Sequence, residues 1–241
     1  MSFEMIYNGI VLPIEVQEVG GRGPYTQQAI RKAVPGRNGA YYIKKRIPER
    51  PLPVKYLIKS QSEEDLRIKV DELSAILNVE GEVPITFTDE VDKTYFGVLD
   101  GDQNWDEIKK LGRGVLPIVR FDPYKYGSEK LITVTSGTPF DVLGNVEINP
   151  IIKVTFSASS PDIKITHQES GKYVRVKYSF SNLDILEIDL TRRKYKINGN
   201  LNMMAYDFNS IPFKLKPGVN HLIIESLGVS KTEITYRPGW S

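Results

Sequence analysis

From residue 128 onward the sequence carries no helical period, and that constrains the fold more than any other feature. Apolar and polar residues alternate in short runs instead. Ile152, Val154 and Phe156 face one way while Lys153 and Thr155 face the other. Val174, Val176, Tyr178 and Phe180 oppose Arg175 and Lys177, and Leu186, Ile188 and Leu190 oppose Glu187 and Asp189. A period of two places alternate side chains on opposite faces of a strand, so each run buries one face only. Tyr195 to Ile197 leads into Asn198-Gly199, a pair suited to the positive φ values of a tight hairpin. Leu222 with Ile224 and Ile234 with Tyr236 complete the set, and the pattern predicts an antiparallel β-sandwich.

The first half reads differently. Phe3 to Val11 predicts strand, Asn8-Gly9 turn, strand. Between Gly20 and Lys55 lie three turn-rich stretches: Gly20 to Pro24, Pro35 to Gly39, and Arg46 to Pro53. They bracket two short β-like stretches, Gln27 to Ala33 and Tyr41 to Lys45, and predict an extended arm. One helix is expected from about Glu63 to Asn78, because Leu66, Val70, Leu73 and Leu77 share a stripe. Ser62 and Asp65 stand as an acidic version of a capping box. Strands are expected again at Pro84 to Thr88, Thr94 to Leu99 and Gly114 to Phe121, with Pro117 implying an edge strand or a bulge. The break at Phe121-Asp122-Pro123-Tyr124-Lys125-Tyr126-Gly127 divides the chain into residues 1–127, a sheet domain with one helix and an arm, and residues 128–241, the sandwich.

Composition excludes several function classes. The chain has no cysteine, which removes disulfides, thiolate metal sites and cysteine nucleophiles. Thirty-two basic residues against thirty acidic ones give a net charge of +2, too little for nucleic-acid binding by bulk charge. No apolar run approaches the roughly 20 residues of a membrane span, and no signal peptide is expected. His167 and His221 have no further histidine at ligand spacing and read as structural or surface residues. Asp100 to Asn104 resembles the start of a calcium loop, but Trp105 and Leu111 occupy positions where glycine and glutamate are needed. Asp89-Glu90-Val91-Asp92 reads as an acidic hairpin tip. No nucleophile elbow, phosphate loop or zinc-protease helix motif appears, so neither catalysis nor a cofactor is expected.

The one local charge excess is the arm. Arg22, Arg31, Lys32, Arg37, Lys44, Lys45 and Arg46 are its candidate subunit-contact residues, with Arg50 and Lys55 beyond. An arm of this length without its own core is marginal unless something packs on it. Tyr41, Tyr42, Tyr173, Tyr195 and Trp240 are candidate sugar-stacking aromatics.

Taken in order, the opening hairpin before Asn8-Gly9, the Pro35 to Gly39 turn, the single helix, the Phe121 to Gly127 junction and the closing stretch Leu215 to Ile224 and Glu233 to Trp240 resemble the distal tail (Dit) protein family of long-tailed, non-contractile phages. The resemblance covers essentially the whole chain. It implies an N-terminal domain that assembles into a six-fold ring, single or stacked, and a galectin-like C-terminal sandwich projecting outwards. It further implies contacts with the tail tube and with tail-tip, baseplate or receptor-binding proteins, DNA only in transit through a central channel, and no membrane partner. A location at the virion tail tip, after synthesis in the bacterial host cytoplasm, follows from the same resemblance. The alternative from the sandwich alone is a module that binds host cell-surface sugars. Longer members of the family carry carbohydrate-binding insertions for which this chain has no room.

Overall fold

The computed structural model describes residues 3–24, 27–36 and 38–241. The chain is mainly β and divides into two compact units, residues 1–125 with Ser241 and residues 126–240.

The first unit opens with β1 (Met5–Tyr7) and β2 (Ile10–Val11), joined through Asn8 and Gly9 at φ of 51° and 80°. Positive φ at both central residues makes the tight turn that matches strand twist. Then come β3 (Glu15–Val19), the hairpin strands β4 (Gln28–Ala33) and β5 (Ala40–Arg46), and β6 (Arg50–Lys59). The helix α1 (Glu63–Leu77) is followed by β7 (Val83–Phe87), β8 (Thr94–Leu99), β9 (Trp105–Ile108) and β10 (Leu111–Arg120). The antiparallel sheet runs β2-β1-β7-β8-β10-β6-β3, with β9 also on β10. Ser62 caps α1 by accepting from the Asp65 amide at 3.0 Å. Asp65 accepts from the Gln61 amide at 2.9 Å, one residue before the position a reciprocal box requires. Leu66, Leu73 and Leu77 bury the helix against the core that Leu52, Val54, Ile58, Leu116 and Ile118 form.

Two expectations about prolines are corrected here. The stretch Arg50 to Pro53 is not a turn but the start of a ten-residue strand, and β10, which carries Pro117, is not an edge strand. Pro53 lies directly opposite Pro117. Neither has an N–H to give, so they meet as a non-hydrogen-bonded pair and turn their carbonyls outward. The Pro53 carbonyl accepts from the Gly20 amide at 2.8 Å and that of Pro117 from the Asp100 amide at 2.9 Å. β3 ends opposite Val54, and β9 and β8 pair with β10 only on either side of Pro117, so no ladder bond is lost. Strand β9 has no counterpart in the sequence reading. Gly112 and Gly114 weaken the strand signal of β10 locally, and a Cβ at either would meet the Trp105 ring at 2.0 Å or the Tyr56 hydroxyl at 2.8 Å.

Strand β11 (Lys125–Tyr126) falls on the division, and the second unit then contains β12 (Lys130–Val134), β13 (Pro139–Val142), β14 (Ile151–Phe156), β15 (Ser160–His167), β16 (Lys172–Phe180), β17 (Ile185–Asp189), β18 (Lys194–Ile197) and β19 (Asn200–Leu201). One 3-10 turn (Met203–Ala205), β20 (Gly218–Glu225), β21 (Val229–Tyr236) and β22 (Gly239–Trp240) complete it. A six-stranded sheet, β12-β21-β14-β17-β18-β19, and a four-stranded sheet, β13-β20-β15-β16, are both antiparallel. Their inner faces supply one apolar core in which Ile152, Val154 and Phe156 meet Ile163, Ile165, Val174 and Val176. Phe156 and Phe180 stack at 4.1 Å. Tyr178 departs from the expected inward set and is 36% exposed, because the β15–β16 register shifts between Ser160 and Asp162.

Candidate assembly surface

Strands β4 and β5 pair with each other alone, from Gln28 opposite Arg46 to Ala33 opposite Ala40, with a register shift after Ile30. Gly36 and Gly39, at φ of 79° and 84°, close the turn in open space. A lone two-stranded ribbon has two faces and no second layer, so its side chains stay wet. Every residue of β5 is exposed, including Tyr41, Tyr42 and Ile43, the last at 56%. Arg31 stands opposite Tyr42, Lys32 opposite Tyr41, Lys44 opposite Ile30 and Lys45 opposite Ala29, while Arg46 donates from Nε to Gln28 at 2.9 Å. Two cations thus face two aromatic side chains across one end of the ribbon, a surface chemistry suited to protein contacts. Arg37 lies outside the described residues. A shallow cleft of about 600 Å³ runs past Lys45, Arg46 and Ile47 to Pro123 and Tyr124.

Arg22 is not on this ribbon. It stands at the base, where its guanidinium lies 4.0 Å over the Phe87 ring and pairs with Asp89 at 2.7 Å. Beside it is a residue that the sequence reading missed. Arg120 follows Leu116 and Ile118 on the inward-facing parity of β10 and is only 2% exposed. It donates to the Gly21 carbonyl at 2.9 Å and packs 5.0 Å over Tyr95, while Arg50 donates to the Gly23 carbonyl at 2.8 Å. Burial, then the charge of Arg50, pulls its pKa down to about 10, so it stays cationic at neutral pH. Gly21 has φ of +73°, and a Cβ there would stand 2.0 Å from the Pro51 carbonyl oxygen. Only glycine lets the chain pass this close. The strand parity of Arg120 was the available signal for this anchor.

Burial alone would raise the pKa of Glu90, but bonds from Lys125 and Tyr95 outweigh it and hold the carboxyl below its usual range. The Tyr95 hydroxyl donates to Glu90 at 2.5 Å, and burial first and then this carboxylate push its own pKa up. Asp89 and Glu90 are therefore each engaged by a cation of this chain, and among the described residues no group of three His, Asp or Glu side chains converges as a metal site.

The two histidines meet in space, which their spacing in sequence does not reveal. His167 is fully buried, with Nδ1 2.8 Å from Ser170 Oγ and Nε2 3.0 Å from Asn220 Oδ1. Asn220 donates its Nδ2 to the Lys216 and Gly218 carbonyls, so Oδ1 faces the ring and Nε2 carries the proton. Glu169 reaches both rings, at 3.0 Å from His167 and 2.6 Å from His221. Although burial pushes its pKa up, the His221 bond leads the contacts that bring it below the usual range. Of the candidate sugar-stacking tyrosines, Tyr195 is buried in the sandwich core at 1% exposure and cannot present a face.

A family model for the siphovirus-type tail component, C-terminal domain, matches residues 143–240, and one for the phage tail protein RIFT-related domain matches residues 10–119. The distal tail protein of Bacillus phage SPP1 is 33% identical over 225 residues, which are 90% of this chain and 89% of that protein. The chain belongs to the siphophage distal tail protein family. The crystal structure of SPP1 Dit, described as a paradigm of the hub adsorption apparatus in phages that infect Gram-positive hosts, covers 100% of both chains. Its TM-score is 0.89 at 26% identity. A chain of the phage p2 baseplate in its activated, strontium-bound conformation shares the fold with this family member at a TM-score of 0.55 and 10% identity, over 98% and 97% of the two chains.

Proposed function

We propose that this chain is a structural hub of a siphophage tail tip, made in the host cytoplasm and carried in the virion, and that it catalyses no reaction. Residues 1–127 close a ring of identical copies, six by the family resemblance, around a channel for DNA, and residues 128–241 project outwards. The ring connects the tail tube to the tip or baseplate proteins. Each copy lays its β4–β5 ribbon on the next, with Arg31, Lys32, Arg37, Lys44, Lys45 and Arg46 in the contact. Arg22 serves instead to anchor the ribbon's base.

The observation that carries this reading is the exposure of the ribbon on both faces. Its ladder holds it in register, yet Tyr42 and Ile43 are more than half exposed on their own chain. A neighbour in a head-to-tail contact can cover them, and such a contact closes into a ring when its rotation divides a full turn. Electron microscopy of the purified chain at high concentration is expected to show rings, and residues 1–127 alone are expected to retain them. Replacing residues 27–47 by a glycine-serine linker should abolish rings while the remaining fold persists. Absence of rings together with no binding to any tail component overturns the proposal.

A further inference from the structure

We infer a binding site for a phosphorylated sugar or polyol in the second unit, in a cleft of about 470 Å³ walled by Lys172, Arg193, Lys214 and Lys216. It is separate from the assembly role and stands or falls independently of it.

The charge arrangement is the first observation. Lys164, Arg175, Lys177, Lys196, Lys231 and Arg237 in the same unit each pair with a carboxylate of the chain. Lys130, Lys153, Arg192 and Lys194 form no ion pair among the described residues, but the four other unpaired cations, Lys172, Arg193, Lys214 and Lys216, line one cleft, with Glu147 the single carboxylate beside them. Cations gathered in a concave wall raise the local potential for an anion more than the same charges scattered on a convex surface.

The second observation is that the walls are built from the inside. Lys214 and Lys216 flank Leu215, which is fully buried and exchanges both backbone bonds with Ile148, at 2.9 and 3.0 Å, so alternation turns both lysines outward together. The Lys216 backbone is gripped at both its N–H and its C=O by buried Asn220, and Asn220 is held by His167. The same His167 ring bonds Ser170, two residues before Lys172, and stacks on Phe213 at 5.3 Å. One buried imidazole therefore positions two walls and the apolar floor.

Arg193 supplies the third. The turn before it is fixed by Asp189, whose Oδ1 accepts from the amides of Thr191 and Arg192 at 2.9 Å each, and Arg193 itself has φ of 53°. An arginine in the left-handed region is strained where glycine or asparagine would be at ease, and this turn directs residue 193 to the cleft wall.

The lining selects the ligand class. Ammonium and guanidinium groups take phosphate oxygens, and the side chains of Asn149 and Thr191 can exchange hydrogen bonds with hydroxyls. A stretch of acidic side chains from a protein would use the cations but not that hydroxyl-matching set.

Titration calorimetry on the full chain, with a sugar 1-phosphate, a phosphodiester-linked polyol chain, the neutral sugar and a poly-glutamate peptide, tests the assignment. The first two are expected to bind saturably, and the two arms separate a free metabolite from a polymer by which binds more tightly. K214E/K216E should weaken both by about tenfold or more, while K130E/K153E, which changes net charge equally away from the cleft, should leave them unchanged. R193G should weaken binding without lowering the unfolding temperature, since glycine relieves the left-handed strain. The absence of saturable binding, equal loss in both double variants, or tighter binding of poly-glutamate overturns the proposal.

Discussion

The ribbon of β4 and β5 and the hairpin of β15 and β16 are built alike: two antiparallel strands, a glycine at positive φ in the turn and one register shift each. They differ in what lies against them. Ile163, Ile165, Val174 and Val176 of the second hairpin are at most 2% exposed, whereas the first buries none of its described residues. Residues 27–46 hold six cations and no carboxylate, while residues 160–180 hold Asp162 and Glu169 among four cations. Backbone ladders are nearly equal in strength, so apolar burial and charge balance separate a hairpin that stabilises its unit from one that waits for a partner.

The strongest way to break that comparison is to truncate both hairpins at corresponding depth. Ile165→Ala should cost about 2–5 kcal/mol of unfolding free energy in urea titrations, because the cavity it leaves lies between two rigid sheets. Tyr42→Ala should change the isolated monomer by no more than about 0.5 kcal/mol, as for other exposed positions. Its effect is expected in sedimentation instead, as weaker self-association. Equal destabilisation of the monomer by both substitutions would mean that the ribbon packs on its own chain.

Gly21→Ala at the ribbon's base is expected to destabilise the first unit by about 1–3 kcal/mol or more, since left-handed strain and collision with the Pro51 carbonyl add. Gly39→Ala at its tip meets open space and should cost only about 1 kcal/mol, visible as faster amide exchange confined to the ribbon. Gly171→Ala, also in open space, should lower the stability of the whole sandwich by a similar amount.

Acid provides a smaller test. Glu169 and Asp207 beside the second hairpin titrate below their usual ranges; for Asp207 the bond from Lys177 leads, while for Glu169 burial opposes the His221 contact that prevails. A carboxylate with a depressed folded pKa contributes stability that is complete above its unfolded pKa of about 4 and disappears as pH falls through the folded value. The contribution of these two carboxylates to the unfolding free energy of the sandwich should therefore be flat from pH 7 to about 5 and decline below about 4. Glu169→Gln should flatten part of that decline, and exchange within the ribbon, which has no carboxylate, should show none of it.

Much of this architecture is legible in the sequence because its signals are local. Asn8-Gly9 and Asn198-Gly199 adopt the same pair of φ values, 51° and 80°, and α1 starts at the capping serine and buries its leucine stripe. What escaped depends on partners distant in sequence. Pro53 and Pro117 look like strand breakers until they face each other, Tyr195 looks like a surface ring until the sandwich closes over it, and Glu169 joins two histidines 54 positions apart. Arg22 is near the ribbon in sequence, while its contacts with Phe87 and Asp89 appear only in the folded chain. The basic residues could be counted from sequence, but the cleft that gathers four of them exists only once Leu215, Asn220 and His167 are in place.

The close passage at Gly21 also bears on how such sequences can drift. Gly36 and Gly39 face open space and could be exchanged for asparagine with modest strain. At position 21 every alternative side chain begins with a carbon that would overlap a carbonyl oxygen of the neighbouring strand. Variation in the ribbon is thus expected to accumulate at its tip and along its faces, with one residue at its root held constant, so that partner-facing chemistry can change while the point of attachment does not.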